Sequence, residues 1–189
     1  MTHWSADKAV PVALIGLLML LEAYANRQRR AGVASRDRGS LLAVVLLVGG
    51  GYWAAFAFWY GAPPPPRLGV SALWAGAAVA LSGMALRLWA VATLGRYFTY
   101  TVKVSPDQKV VDNGPYHLLR HPSYTGALLM ALGIGLSLRY AWAPLLIAGP
   151  SLVGYLIRIR VEERALAEGI GAHYRYYMER TKRLIPFVW

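Results

Sequence analysis

Residues 41–60 read LLAVVLLVGGGYWAAFAFWY, a run without a single charge. A helix of about 20 residues, rising 1.5 Å per residue, crosses the ~30 Å hydrocarbon core of a bilayer. A surface helix of a soluble protein would show a polar face, and this run has none. The rest of the chain follows suit: of 189 residues, 57% are hydrophobic and 15% are charged, where soluble domains carry about 25% charge. Such a chain holds more apolar surface than a soluble globule of its size can hide. The composition excludes a disordered protein and argues against a soluble enzyme. Cysteine is absent, which removes disulfides, thiolate zinc sites, iron–sulfur clusters and a cysteine nucleophile.

Outward from this run lie four further apolar segments, Ala9–Ala25, Gly69–Gly95, Tyr124–Leu138 and Tyr140–Ile159. The first is marginal in length. Tyr124–Leu138, the fourth in chain order at about 15 residues, reaches only some 22 Å and is expected as a short or tilted helix in a hairpin with the fifth, Tyr140–Ile159. The predicted fold class is all-α, an integral membrane bundle of about five transmembrane helices in one structural domain. Residues 1–95 supply three N-terminal transmembrane helices. Residues 96–189 supply a cofactor-binding loop, the helical hairpin and a C-terminal catalytic segment.

The net charge is +11. In a soluble protein that would suggest nucleic acid; here the charges alternate with the spans. Of 20 Lys and Arg, only Lys8, Arg67 and Arg139 fall on one set of loops, and Arg87 lies inside the third segment. The other 16 sit between segments one and two, between three and four, and after five. The positive-inside rule then puts the N-terminus outside and the C-terminus in the cytoplasm, in a multi-pass protein with no nucleic-acid partner. Segment one resembles a signal peptide, with Ala23-Tyr24-Ala25 as a cleavage-like site, but the basic run that follows favours a retained helix. Pro63–Pro66 reads as a stiff turn between helices two and three.

Most polar residues outside the first basic loop lie in two cytoplasmic stretches, Arg96–Tyr124 and Arg158–Trp189. In the first, Asp112-Asn113-Gly114-Pro115-Tyr116 is a turn signal, followed by Arg120-His121-Pro122-Ser123-Tyr124. Pro122 suits a first helical turn, which sets Arg120 and His121 at the N-terminal mouth of helix four, a place that favours an anion. His117 and His121 are four apart but bracketed by prolines, and no metal site is expected. The second stretch holds Arg158 and Glu162 at i and i+4, with Glu163 beside them. They read either as an exposed intrahelical ion pair or as an arginine held ready for a substrate anion. Ala165–Met178 has amphipathic spacing and is expected to lie on the membrane or over a pocket. Glu22 and Arg87 stand within apolar segments; each can snorkel to the interface, or the two can pair.

Gly114-Pro115-Tyr116, Arg120-His121-Pro122-Ser123-Tyr124-Thr125-Gly126, Arg158 with Glu162-Glu163, Gly171, Tyr174, Tyr177 and Leu184-Ile185-Pro186 together resemble the isoprenylcysteine carboxyl methyltransferase family. The resemblance covers about 96–186. It implies a multi-span membrane enzyme using S-adenosylmethionine as cofactor, without the soluble methyltransferase fold, and the chain has no strand–Gly-x-Gly-x-x-Gly–helix unit. It implies a cofactor pocket walled by Lys103, Gly114, Tyr116, His121, Pro122 and Tyr124 and closed by Tyr174 and Tyr177. Arg158, Glu162, Glu163 and Arg120 become the catalytic candidates, with the register between Glu162 and Glu163 open. The acceptor would be the carboxylate of a lipophilic, isoprenylcysteine-like substrate entering from the bilayer, beside membrane lipids. A lipophilic thiol or lipid amine would also serve, with Glu162 or Glu163 as base. An NADPH-dependent reductase similar to sterol reductases, and a non-catalytic membrane scaffold, are the competing classes. Those reductases typically carry Asn where Ser123 stands and an acid where Ala127 stands. The oligomeric state is not legible.

Overall fold

The computed structural model of the protein describes residues 6–27, 39–61, 67–98 and 108–186. Lys103, Pro63–Pro66 and most of the first basic loop lie outside them. The described residues form six α-helices and no strand: α1 Ala6–Arg27, α2 Ser40–Gly61, α3 Val70–Leu94, α4 Pro122–Ser137, α5 Ala143–Ile170 and α6 Ala172–Arg180. Three helical stretches are long and apolar enough to cross a membrane: α2, α3 with its 3₁₀ extension to Tyr97, and α5. α4 has only 16 residues, and α1 has 22 that include Asp7, Lys8 and Glu22.

Helix ends follow local chemistry. α4 begins at Pro122, where the missing N–H costs nothing. α5 continues past the apolar segment that closes at Ile159, as the i, i+4 reading of Arg158 and Glu162 requires, and extends to Ile170. It stops at Gly171, whose φ of +77° leaves the right-handed helix at little cost to a residue without Cβ. The single amphipathic helix expected over Ala165–Met178 is therefore two pieces. Its first part, 165–170, belongs to α5, and α6 starts after Gly171 with Tyr174 and Tyr177 buried and Arg175, Tyr176 and Arg180 exposed.

α3 packs chiefly on α4 and α2 on α5, while α4 and α5 form the hairpin and α1 lies along α3. The N-terminal and C-terminal halves are thus interleaved. α3 and α4 approach backbone to backbone: a Cβ on Gly83 would meet the Gly126 carbonyl oxygen at 2.6 Å, and one on Gly126 would meet that of Gly83 at 2.6 Å. Small residues at such crossings are how membrane helices gain packing contact without a hydrophobic driving force.

The bundle is solid at one end and open at the other. Leu14, Ala55, Ala80, Ile134 and Ile147 form an apolar core toward the end where α4 turns into α5. Charges clamp that end: Asp7 pairs with Arg139 at 2.7 Å and with Arg67 at 3.6 Å. Arg139 also donates to the Leu68 carbonyl at 2.9 Å. Two of the three basic residues from the sparsely charged loops therefore meet on one acid. α1 and α2, consecutive in sequence, make at most slight contact with each other, and toward the other end the space between them and the remaining helices is a cavity.

Glu22 and Arg87 do not simply snorkel apart. They form an ion pair of 2.7 Å, and Arg87 also donates to Ser123 Oγ at 2.8 Å, joining α1, α3 and the start of α4. Arg87 is buried at 6% exposure. Within an apolar bundle, pairing costs less than a lone charge, which accounts for the geometry.

Candidate active site

The cavity has a volume of about 780 Å³, within the range of small-molecule sites. Its deep part is walled by apolar side chains of α1 and α2, among them Ile15, Val44, Val48 and Phe56. Its polar end gathers Tyr116, Arg120, His121, Tyr124, Arg158, Glu162, Tyr174 and Tyr177. Residues separated by up to 61 positions in sequence thus share one chamber.

α5 supplies the central face. Tyr155, Arg158 and Glu162 follow i, i+3, i+7 spacing and point the same way. Arg158, 3% exposed, donates to Ser40 Oγ of α2 at 2.8 Å. Glu162 accepts a 2.8 Å hydrogen bond from the Tyr124 hydroxyl of α4. The two residues thus find partners on other helices, and the exposed intrahelical pair considered from sequence does not describe them. Tyr124 stacks between His121 and Tyr155, with ring centroids 5.6 and 5.0 Å away.

Glu163 is turned the other way. Its side chain, 6% exposed, accepts from Arg120 Nε at 2.9 Å and Arg183 Nη2 at 2.9 Å, with His121 Nε2 3.4 Å away. Arg120 lines the cavity, but its guanidinium also donates to the carbonyls of Met178 and Thr181. The Arg120 fork is thus engaged by α5, by the last turn of α6 and by the segment after it. That segment is sewn to the mouth of α4: Arg120 N–H donates to Lys182 O at 2.7 Å, His121 N–H to Arg183 O at 3.1 Å, and Thr125 Oγ1 to Leu184 O at 2.8 Å. Leu119 and Lys182 form an isolated parallel bridge.

Of the other sequence candidates, Pro122 is buried beneath the mouth. Gly114 turns with φ +55° against Trp89 and Thr93 of α3. Lys103 is outside the described residues. Burial raises the pKa of the Tyr116, Tyr174 and Tyr177 hydroxyls, helped by Glu162 at the first two and by Asp112 at the third. All three stay neutral, and the Tyr177 hydroxyl donates a hydrogen bond to the Tyr116 carbonyl at 2.7 Å. His117 lies at the surface, 3.7 Å from Asp112, and no group of three metal-ligating residues occurs among the described residues.

Sequence reasoning missed Ser40, Tyr155 and Arg183. Tyr155 carried a signal, its helical spacing to Arg158. Ser40 and Arg183 meet Arg158 and Glu163 only through the tertiary fold, across 118 and 20 positions.

A polytopic helical bundle whose cavity runs from an apolar shaft to a chamber of guanidinium, carboxylate, imidazole and phenols is the class the geometry defines. Comparison with known proteins makes it specific. Residues 76–168, about half the chain, match the sequence model of the isoprenylcysteine carboxyl methyltransferase family. Over that segment the chain is similar to this family. Protein-S-isoprenylcysteine O-methyltransferase B of Arabidopsis thaliana is 32% identical over 115 residues, covering 60% of this chain and 58% of the relative. The Saccharomyces cerevisiae protein-S-isoprenylcysteine O-methyltransferase is 33% identical over 123 residues, covering 60% and 48%. The chain therefore spans less than two thirds of these relatives. A solved structure of a eukaryotic intramembrane Ras methyltransferase, an isoprenylcysteine carboxyl methyltransferase, shares the fold with a TM-score of 0.64. It covers 99% of this chain and 70% of that one at 23% identity.

Proposed function

We propose that this protein is an integral membrane methyltransferase that passes a methyl group from S-adenosylmethionine to the carboxylate of a lipophilic, isoprenylcysteine-like acceptor. The observation that carries the proposal is the continuity of the cavity. One space joins a charged chamber walled by the family segment to an apolar shaft between α1 and α2. A water-soluble donor and a bilayer-soluble acceptor need such a meeting place, and the slight contact between α1 and α2 supports sideways entry from the lipid.

The chamber's donor set fits S-adenosylmethionine. The Glu162 carboxylate suits an ammonium or sulfonium, the aromatic ring of Tyr174 suits a flat heterocycle, and His121 and neutral tyrosines supply hydrogen bonds. When bound, the cofactor supplies an electrophilic methyl on a sulfonium whose leaving group is a neutral thioether. The acceptor carboxylate is ionised at neutral pH and needs no base. The chain's work is alignment and charge compensation. Arg158 holds one carboxylate oxygen while the other attacks. Glu162, fixed by Tyr124, screens the cationic side. Glu163, Arg120 and Arg183 keep the mouth of α4 and the C-terminal segment in register, making them positioning residues in this reading. Tyr116, Tyr174 and Tyr177 exclude water.

In the same proposal α1 and α4 also lie within the bilayer, giving five membrane helices, with the chamber and C-terminus facing the cytoplasm and the Asp7–Arg139 clamp outside. Calorimetry on detergent-purified protein tests the cofactor: S-adenosylhomocysteine is expected to bind and NADPH not. NADPH binding with no response to S-adenosylhomocysteine would overturn the proposal in favour of a reductase.

A further inference from the structure

The shaft of the cavity is not uniformly apolar. Glu22 of α1 lines it with a side chain 34% exposed, while its partner Arg87 is only 7% exposed. Tyr52 of α2 and Tyr155 of α5 line the cavity too. This second polar station is separate from the Arg158–Glu162 chamber but close to it. Tyr155 stacks on Tyr124 at 5.0 Å, and Tyr124 bonds Glu162. Arg87 donates to Ser123, the residue before Tyr124. The station therefore sits about one aromatic ring below the reacting end.

Stability alone does not call for a charge pair at this depth, because apolar residues of similar volume often serve a fold as well or better. Ionisable residues on an intramembrane path more often meet what travels along it. Between the two charges, the exposure falls on the carboxylate, so the occupant of the shaft meets an acceptor of hydrogen bonds.

We infer that Glu22, held in place by Arg87, is a specificity-determining residue that accepts a hydrogen bond from a donor group on the lipophilic acceptor. That donor, an amide N–H or a hydroxyl, lies within a few atoms of the methyl-accepting oxygen. This rests on the methyl-transfer reading and narrows it. The preferred substrate is an amphiphile with a tail, a hydrogen-bond donor and a carboxylate in that order, and a plain lipophilic acid lacking the donor is a poor ligand.

The test is equilibrium binding in nanodiscs by calorimetry, using N-acetyl-S-farnesylcysteine and 3-(farnesylthio)propionic acid, which differ by the acetamido group. Wild type is expected to bind the amide-bearing acid roughly tenfold tighter or more, the factor a hydrogen bond to a charged acceptor carries. Glu22→Gln is expected to bring that ratio to near one while leaving affinity for the des-amide acid within twofold. Should Glu22→Gln fail to fold, Glu22→Asp keeps the charge for Arg87 but withdraws it by one methylene, and is expected to reduce the ratio. A wild-type ratio near one, or a ratio unchanged in whichever variant folds, overturns the inference. Because binding is read without turnover, absence of methyl transfer to any acceptor would refute the proposed function separately.

Discussion

Glu163→Ala is the perturbation whose cost follows most directly from the geometry. The carboxylate is 6% exposed and faces Arg120, 9% exposed, at 2.9 Å. Removing one partner of a buried ion pair costs about 3–5 kcal/mol, because the other charge stays behind. Arg120 keeps the carbonyls of Met178 and Thr181 as acceptors, which favours the lower figure. Arg183 is one-third exposed, and its share of the loss is at most about 1 kcal/mol. For a chain of this size 1 kcal/mol moves the melting temperature by about 2–4 °C, so a loss near 3 kcal/mol lowers it by about 6–12 °C. Intrinsic tryptophan fluorescence on heating in detergent reads the shift. Amide hydrogen exchange localises it, with protection expected to fall at Arg120, His121 and Lys182, whose N–H groups tie the C-terminal segment to α4. A melting temperature within about 1 °C of wild type, with exchange unchanged at those amides, would refute the role given to Glu163.

Further outcomes follow from the same contacts. Glu22→Gln and Arg87→Leu are expected to lose stability non-additively, with a coupling of about 0.5–3 kcal/mol in a thermal double-mutant cycle; additive losses would reject the pair. Arg158→Lys should lower methyl transfer at least tenfold with S-adenosylhomocysteine affinity within twofold, because a single ammonium cannot reproduce the guanidinium fork. His121→Ala should instead weaken S-adenosylhomocysteine binding, as calorimetry would read. Gly126→Ala should destabilise by about 1–3 kcal/mol in the same melting assay, since the new methyl meets the Gly83 carbonyl oxygen.

The sequence made the apolar helices legible because a membrane demands length and composition, and both are local properties. α2 falls within a residue of its expected bounds at each end. α5 continues well past its apolar run because the charges from Arg158 onward do not stop a helix, whereas Gly171 does. The candidate residues around Arg120–Tyr124 and Arg158–Glu163 were visible because polar residues are scarce in this chain. Their division of labour was not. That Glu162 faces the cavity and Glu163 the Arg120–Arg183 cluster depends on how α5 is rotated against α4. A pair of adjacent acids gives no hint of that rotation. The Glu22–Arg87 pair was readable as an oddity, since two charges in apolar segments call for partners, but Ser123 as the third member required the α3–α4 crossing at Gly83 and Gly126.

The most direct measurement follows the methyl group. Purified protein in lipid, given S-adenosylmethionine labelled in its methyl group and a farnesylated cysteine with a free carboxylate, is expected to form a labelled product in the lipid phase. Mild base should release that label as volatile methanol, the mark of a methyl ester, and Arg158→Lys should abolish most of it. No labelled product from any lipophilic carboxylate, or a label that resists base because it sits on sulfur or nitrogen, would contradict carboxyl methylation as the reaction.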